Sequence, residues 1–421
     1  MKIISITGTK GKTTVTRVLS AILHSQKNNT LHVDTDGYAV NQRRLGTLDQ
    51  SKSLFNLVPT VCPGKYLLAM KRYFPDYVAI LECSIGSSGS AGLGYGYHNI
   101  GIFTNVFEDH LGASSRLKKR SDIAKYKNFI FKNIRGNGYA IFNADDRLVT
   151  SQLKYIPQDL NVQQIPCGIH FKGFDIKSHL DSGGVCLTVE DGFAVIKNGA
   201  SVKKLLRLKD VPWTFGGVFT PSVYNILFVL GGIYGFLEGK IPKSYINALV
   251  AYQFDADGGR MTLLKGREGC QIIVDYAHEK YSLRSIGLLA KQMASQDGGK
   301  TIGVVRLAPD RTNHMIHETG FFIAKSFDRH VVYDKIDGIN KTEYRAARGL
   351  IRHRAAGEVS KIFYNGLVSG GAEPHYHISE EEAIKKAALI TKNNDVVVVI
   401  CGDDHRKTIA WVKKYFSAKP A

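Results

Sequence analysis

The stretch Lys2-Ile3-Ile4-Ser5-Ile6-Thr7-Gly8-Thr9-Lys10-Gly11-Lys12-Thr13-Thr14-Val15 decides the fold. Its first six residues form an apolar, β-branched run ended by Gly8, the pattern of a short buried strand. From Lys12 the period changes: Val15, Val18, Leu19 and Leu23 recur on one face, which predicts a helix. Between the two lies Gly8-Thr9-Lys10-Gly11-Lys12-Thr13-Thr14. Glycines let such a loop turn tightly and aim N–H groups at phosphate oxygens, and the helix start adds partial positive charge. Lys12 is placed to reach the β- and γ-phosphates of a nucleotide, and the Thr13 hydroxyl to ligate magnesium. The loop departs from the usual G-x-x-x-x-G-K-[ST] because Ile6 stands where the first glycine would be.

Outward from this loop, compact apolar runs recur at 77–81, 101–104 and 139–142, with a helical pattern at 121–134. Strands alternating with helices predict an α/β domain with a doubly wound, mostly parallel sheet. Residues 167–208 read differently, as short alternating segments punctuated by Asp-Gly and Gly-Gly. They predict antiparallel hairpins, a β-hairpin insertion at about 165–210. A helix is expected at 221–237 and a linker at 255–260. The alternation then restarts at 271–274, 301–305, 330–333 and 395–400. The expected organisation is therefore a P-loop domain over 1–253 and a Rossmann-like α/β domain over 254–421. A chain of 421 residues has room for both cores.

The formal charge of +19 favours anionic partners: nucleotides, acidic peptides or nucleic acid. The Lys and Arg residues are scattered, however, and the densest cluster is only Lys118-Lys119-Arg120. With no aromatic-basic RNA motif and no finger spacing, nucleic acid is disfavoured. The six cysteines lie far apart without a C-x-x-C pair, so they predict buried reduced thiols. The amino terminus runs directly into the phosphate loop without the apolar core of a signal peptide. The longest apolar stretch, 226–236, is too short and glycine-rich to span a bilayer. A cytoplasmic protein without membrane association is expected.

Further motifs make the reading specific. Gly-Thr-Lys-Gly-Lys-Thr-Thr resembles the G-T-x-G-K-T-[ST] loop of the Mur ligase family, the ATP-dependent amide ligases of peptidoglycan, folylpolyglutamate and cyanophycin synthesis. Thr104-Asn105-Val106-Phe107-Glu108-Asp109-His110-Leu111-Gly112 resembles that family's T-N-x-x-x-D-H-L segment, in the form found in the carboxy-terminal half of cyanophycin synthetase. Pseudomurein peptide ligases of archaea belong to the same superfamily and fit equally well.

The resemblance implies ATP and Mg2+ as cofactors and a set of roles. Gly8, Thr9, Lys10, Gly11, Lys12, Thr13 and Thr14 would cradle the nucleotide, with Asn105, Asn225, Arg260, Asp275 and His278 assisting. Thr13, Glu82 and His110 would hold the metal, and Lys12, Lys127 and His110 would be the catalytic set. Lys127 fits the family's carbamylated lysine by its spacing to Gly138 and Asn143-Ala144-Asp145-Asp146, better than Lys125 does. Cys83-Ser84-Ile85-Gly86-Ser87-Ser88-Gly89 reads as a flexible substrate loop, without the arginine common in cyanophycin synthetases. Gly259-Arg260-Met261 and Asp275-Tyr276-Ala277-His278 resemble the family's G-R-[MF] and D-Y-A-H elements. Arg311 is either a fork for an amino acid's carboxylate or an exposed salt-bridge residue. Cys401-Gly402-Asp403-Asp404-His405 lacks the G-K-G-H of several Mur enzymes.

The implied activity is a ligase. A carboxylate becomes an acyl phosphate, an amine attacks it, and domain closure about 257–259 excludes water. The implied substrates are a peptide or acidic amino-acid chain and an amine, in cell-wall or cyanophycin-like synthesis. No UDP-sugar-binding domain precedes the phosphate loop, and there is no ATP-grasp half, so a partner protein supplying a missing domain is a further expectation. A P-loop NTPase switch without ligase activity is the alternative.

Overall fold

The computed structural model describes residues 1–46, 62–64, 67, 76–89, 92–108, 111, 116–254, 259–309, 311–335, 355–402 and 404–420. They divide into two compact units: Met1–Phe107 with Lys119–Tyr252, and Glu108–Lys118 with Gln253–Ala421.

The first unit is organised around β1 (Lys2–Thr7), which pairs in parallel with β5 (Val78–Glu82) on one side and β6 (His98–Phe103) on the other. The parallel order extends through β2 (Thr30–Asp34) beside β5, and through β7 (Ile134–Asn143) and β8 (Gln163–Cys167) beside β6. Every residue of β2 and β5 is buried. In β5 the run Val78 to Leu81 is continuously apolar, as strands covered on both faces allow, whereas β2 carries the buried polar residues His32 and Asp34. Two antiparallel additions complete the sheet. β3 (Gly37–Val40) and β4 (Arg43–Gly46) lie beyond β2, and β9 (Val185–Glu190), β10 (Phe193–Asn198) and β11 (Ser201–Arg207) lie beyond β8.

Helix α1 (Lys12–Ser25) buries Val15, Val18, Leu19, Ile22 and Leu23 against this sheet. Burying such a side chain contributes roughly 1.5–3 kcal/mol. The core faces of α1 and of α4 (Thr220–Phe236) pack together, and α4 also covers β6, β7 and β8. Among the described residues, no helix is long and apolar enough to cross a membrane.

Several expectations change. The helix predicted over 121–134 is two pieces, α2 (Arg120–Tyr126) and α3 (Phe129–Lys132), and Ile134 already belongs to β7. The consecutive residues Phe129, Ile130 and Phe131 are all buried, which one continuous amphipathic face would not allow. The hairpin region begins with a parallel strand, β8, so only β9 to β11 form the antiparallel meander. They extend the main sheet, with the short helix Ile176–Asp181 ahead of them. Strands β2, β3 and β4 have no counterpart in the expected set.

In the second unit β13 (Gln271–Asp275), β14 (Thr301–Val305), β15 (Arg329–Tyr333), β16 (His375–His377) and β17 (Val396–Ile400) are parallel, in the order β16-β15-β14-β17-β13. An antiparallel edge of β12 (Thr262–Lys265) and β18 (Lys419–Pro420) follows β13. The Val-Val-Val-Val-Ile of β17 is wholly buried at the centre. Helices Glu380–Ile390 and His405–Phe416 contribute Ala383, Ile384, Ile409 and Val412 to the core on one face.

Candidate active site

The carboxyl ends of β1, β5 and β6 lie side by side, because Ile6 is level with both Glu82 and Ile102. In open α/β sheets this edge is where ligands bind. From it rises the loop Gly8 to Lys12. Gly8 has φ 142° and Gly11 φ 83°, values that L side chains rarely adopt. A Cβ on Gly8 would lie 1.9 Å from Thr104 Oγ1, and one on Gly11 2.4 Å from Asn225 Oδ1. Both glycines are thus required by close neighbours as well as by torsion.

The loop is clamped by the segment after β6. Asn105 O accepts from the Thr9 amide (2.9 Å), Asn105 Oδ1 from the Lys10 amide (2.8 Å), and Asn105 Nδ2 donates to Lys10 O (3.1 Å). Thr104 Oγ1 donates to the same Lys10 carbonyl at 2.6 Å, and Thr9 Oγ1 accepts from the Phe107 amide at 3.0 Å. Lys12 Nζ donates to Thr9 O at 2.9 Å. Helix α1 starts at Gly11 with no side-chain cap and no acidic residue in its first turn, where Lys12, Thr13 and Thr14 stand. Such a start favours an anion.

Around this loop the structure gathers three more of the expected residues. Glu82 ends β5 and is only 2 % exposed. Its Oε1 accepts from Thr35 Oγ1 at 3.2 Å, while Oε2 is buried without a hydrogen-bond partner, as is Ser84 Oγ two residues on. A buried carboxylate oxygen without a partner is costly. A cation there would satisfy it. Lys127, at the end of α2, is buried, and its Nζ donates to Thr7 Oγ1 at 3.3 Å. Lys125 is exposed. Asn225, in the second turn of α4, is buried against Gly11.

His110 and Asp109 lie outside the described residues, as do 255–258 of the expected linker, Asp310 and Asp403. The segment Cys83 to Gly89, read as a flexible loop, ends in a helical turn at Gly86–Gly89.

Asn143-Ala144-Asp145-Asp146, a spacing mark in the sequence, proves to be a junction. Asp146 Oδ2 accepts from the Val106 amide at 2.7 Å, holding the segment after Asn105. Asp145 Oδ2 accepts from Tyr224 Oη at 2.7 Å, holding the helix turn that carries Asn225. The same carboxylate also accepts from the amide of Ile169 through Oδ2 and from those of His170 and Lys172 through Oδ1. Burial works against the Asp145 charge, yet the donors around it keep its carboxyl below the usual range. Two adjacent carboxylates after Asn-Ala were the available signal, since adjacent acids at a strand end need donors.

In the second unit Asp275 closes β13, and its Oδ2 accepts from the Met261 amide at 2.9 Å. The Arg260 guanidinium lies 5.7 Å from the Tyr276 ring centre, and His278 Nδ1 donates to Tyr276 O at 2.8 Å. Arg260, Asp275 and His278 therefore gather at the carboxyl end of one strand. Two residues that sequence reasoning passed over join them. The buried Arg306 lies 4.8 Å from the same ring, and Lys335 Nζ reaches Tyr276 Oη at 3.4 Å. Arg311 is buried (3 % exposed), which removes the exposed salt-bridge alternative.

Models of two domains match the chain: the Mur ligase middle domain over residues 6–195 and the Mur ligase glutamate ligase domain over 259–402. The chain belongs to the Mur ligase family. It is similar to cyanophycin synthetase of Nostoc sp. strain PCC 7120, 26% identical over 390 residues, covering 91% of this chain and 39% of that one. It is also similar to UDP-N-acetylmuramoyl-L-alanyl-D-glutamate--2,6-diaminopimelate ligase 2 of Clostridium acetobutylicum, 24% identical over 315 residues, covering 74% and 57%. The chain thus spans about two fifths of the cyanophycin synthetases that it matches. Among solved structures, its fold matches bifunctional folylpolyglutamate synthase/dihydrofolate synthase from Yersinia pestis, complexed with AMPPNP and Mn ion. That match has a TM-score of 0.61 at 17% identity and covers 98% of this chain and 88% of that one. The two matched Mur ligase domains hold the two constellations, the first from Gly8 to Lys127 and the second from Arg260 to His278.

Proposed function

We propose that this Mur ligase family member is an ATP-dependent ligase that activates a carboxylate as an acyl phosphate and joins it to an amine. The observation that carries the reading is the glycine loop locked to Asn105, with the unpartnered Glu82 Oε2 beside it.

Gly8 to Thr14 offer backbone N–H groups and the start of α1 to the nucleotide phosphates, Lys12 contributes a positive charge, and Asn105 keeps the loop in shape. Asn225 borders the loop at Gly11. In the second unit, Arg260, Asp275 and His278 are assigned to nucleotide binding. A divalent cation, Mg2+ in this proposal, fits the Glu82 end of β5, with Thr13 as a further ligand; His110 is assigned to the metal by its place in the family motif alone. When bound it neutralises charge on the phosphates during transfer. Among the described residues no group of three His, Cys, Asp or Glu converges. A cation that takes its remaining ligands from phosphate and water needs no such cluster.

The substrate carboxylate oxygen attacks the γ-phosphorus, the bond to ADP breaks, and an acyl phosphate forms. The amine then attacks the acyl carbon, inorganic phosphate leaves, and the amine proton passes to base. Lys127, buried next to Thr7, is assigned to orient the reacting end, as a carbamate or as the free amine. Supported substrates are a peptide or acidic amino-acid chain and an amino acid or peptide amine, in cell-wall or cyanophycin-like synthesis. The cytoplasm is the proposed setting. A nucleotide switch would release phosphate without regard to amine.

The test is phosphate release from ATP with acidic peptides and UDP-peptides crossed against the twenty amino acids. Release that requires one carboxylate and one amine together supports the ligase. A folded sample with magnesium that forms no ADP across the panel overturns it.

A further inference from the structure

We propose that Thr35 is a positioning residue that sets the Glu82 carboxylate for cation binding; this rests on the ligase reading above. Strands β2 and β5 are parallel, with Val33 level with Leu81, so the chain leaving β2 passes beside Glu82. There Thr35 Oγ1 donates to Glu82 Oε1 at 3.2 Å. The other oxygen, Oε2, is left buried and without a partner. One hydrogen bond thus orients the buried carboxylate, engaging one oxygen and leaving the other without a hydrogen-bond partner.

Thr35 is itself held on both sides. Asp34 is fully buried and accepts from Arg17 Nε at 2.6 Å and from Arg44 at 3.2 and 3.3 Å. Asp34 Oδ1 also accepts from the Asp36 amide at 2.9 Å, folding the turn around Thr35, and Arg17 reaches Asp36 as well. Burial opposes the Asp34 charge, but the two arginines hold its carboxyl far below the usual range. Arg17 lies on α1, the helix that begins at the phosphate loop. The position of Thr35, and through it of Glu82, is therefore tied to the loop that the cation and phosphates must share. Partners behind a metal ligand set its orientation, and losing one typically costs about 10–100-fold in metal affinity.

The experiment measures binding of Mn2+ by its electron paramagnetic resonance signal, in the presence of ADP, for the full chain. The variants are Thr35→Val, Thr35→Ser and Glu82→Gln. Thr35 is exposed, so its replacement leaves the core intact, and melting without ligand checks this. The expected result is Mn2+ affinity about tenfold weaker in Thr35→Val, restored in Thr35→Ser, and lost in Glu82→Gln. Parent-like affinity in Thr35→Val, or equal weakening in Thr35→Ser, overturns the inference while leaving the ligase reading standing. Failure of the parent chain to bind Mn2+ with ADP overturns both.

Discussion

Asn105 and Lys10 are joined in both directions: the Lys10 amide donates to Asn105 Oδ1 and Asn105 Nδ2 returns a bond to Lys10 O. A carboxamide carries its acceptor and its donors on separate atoms, so one side chain meets both the amide and the carbonyl of Lys10. Replacing Asn105 with Ala removes both bonds, at about 0.5–1.5 kcal/mol for each, while Thr104 Oγ1 still donates to the Lys10 carbonyl. The expected outcome of Asn105→Ala is about tenfold weaker ADP binding by calorimetry, with a small loss of melting temperature. Unchanged ADP affinity would contradict this role.

Gly11→Ala meets two obstacles. Its φ of 83° costs an L residue roughly 1–2 kcal/mol, and its new methyl would lie 2.4 Å from Asn225 Oδ1. The variant should fold with a lowered denaturant midpoint and lose most nucleotide affinity. Gly8→Ala, against Thr104 Oγ1 at 1.9 Å, should be the more damaging of the two. Denaturant melts and ADP titrations of the pair check the order.

Lys127→Met keeps the buried volume and removes the nitrogen that reaches Thr7 Oγ1. Stability should hold, since an apolar replacement at a buried charge is often neutral or favourable. Ligation should fall by at least about tenfold. If carbamylation operates, activity of the parent, and not of the variant, rises with added bicarbonate. Full activity in Lys127→Met with and without bicarbonate would remove Lys127 from the mechanism.

Three buried histidines predict acid sensitivity. Burial pushes His32, His98 and His330 down to about 4, with Arg44 and Arg17 adding to the effect at His32 and Lys291 at His330. The unfolded chain takes up these protons near pH 6.5, the folded one only near 4. Their contribution is therefore complete above about pH 6.5 and is lost as pH falls from there through about 4. Denaturant midpoints at pH 7.5, 6 and 5 should decline in that order, and less steeply in His98→Gln. A midpoint that is level from pH 7.5 to 5 would contradict the account.

How far the sequence carried this depended on range. The β1–loop–α1 unit was legible because its period changes within a few residues, and glycine, lysine and threonine sit at the change. The runs that became β5, β6, β13, β14 and β17 were legible because parallel buried strands are continuously apolar. β2 to β4 were not, since Asp34, Arg44 and His32 break the apolar pattern. Those residues satisfy one another only in three dimensions, through Arg17 on another element. The same limit hid Thr35 behind Glu82, and Arg306 and Lys335 around Tyr276. The broken helix at 127–128 was hidden because the apolar residues on either side, Ile123 and Phe129 to Phe131, read as one helical run until their burial on two short helices is seen.

The most direct test of the central claim follows an oxygen atom. A carboxylate substrate that supports turnover is labelled with 18O in both carboxylate oxygens, and the released phosphate is analysed by mass spectrometry. Activation through an acyl phosphate predicts one 18O in each phosphate and one retained in the amide product. Unlabelled phosphate released alongside ADP would show that water, not the carboxylate, had attacked the nucleotide, and would contradict the account.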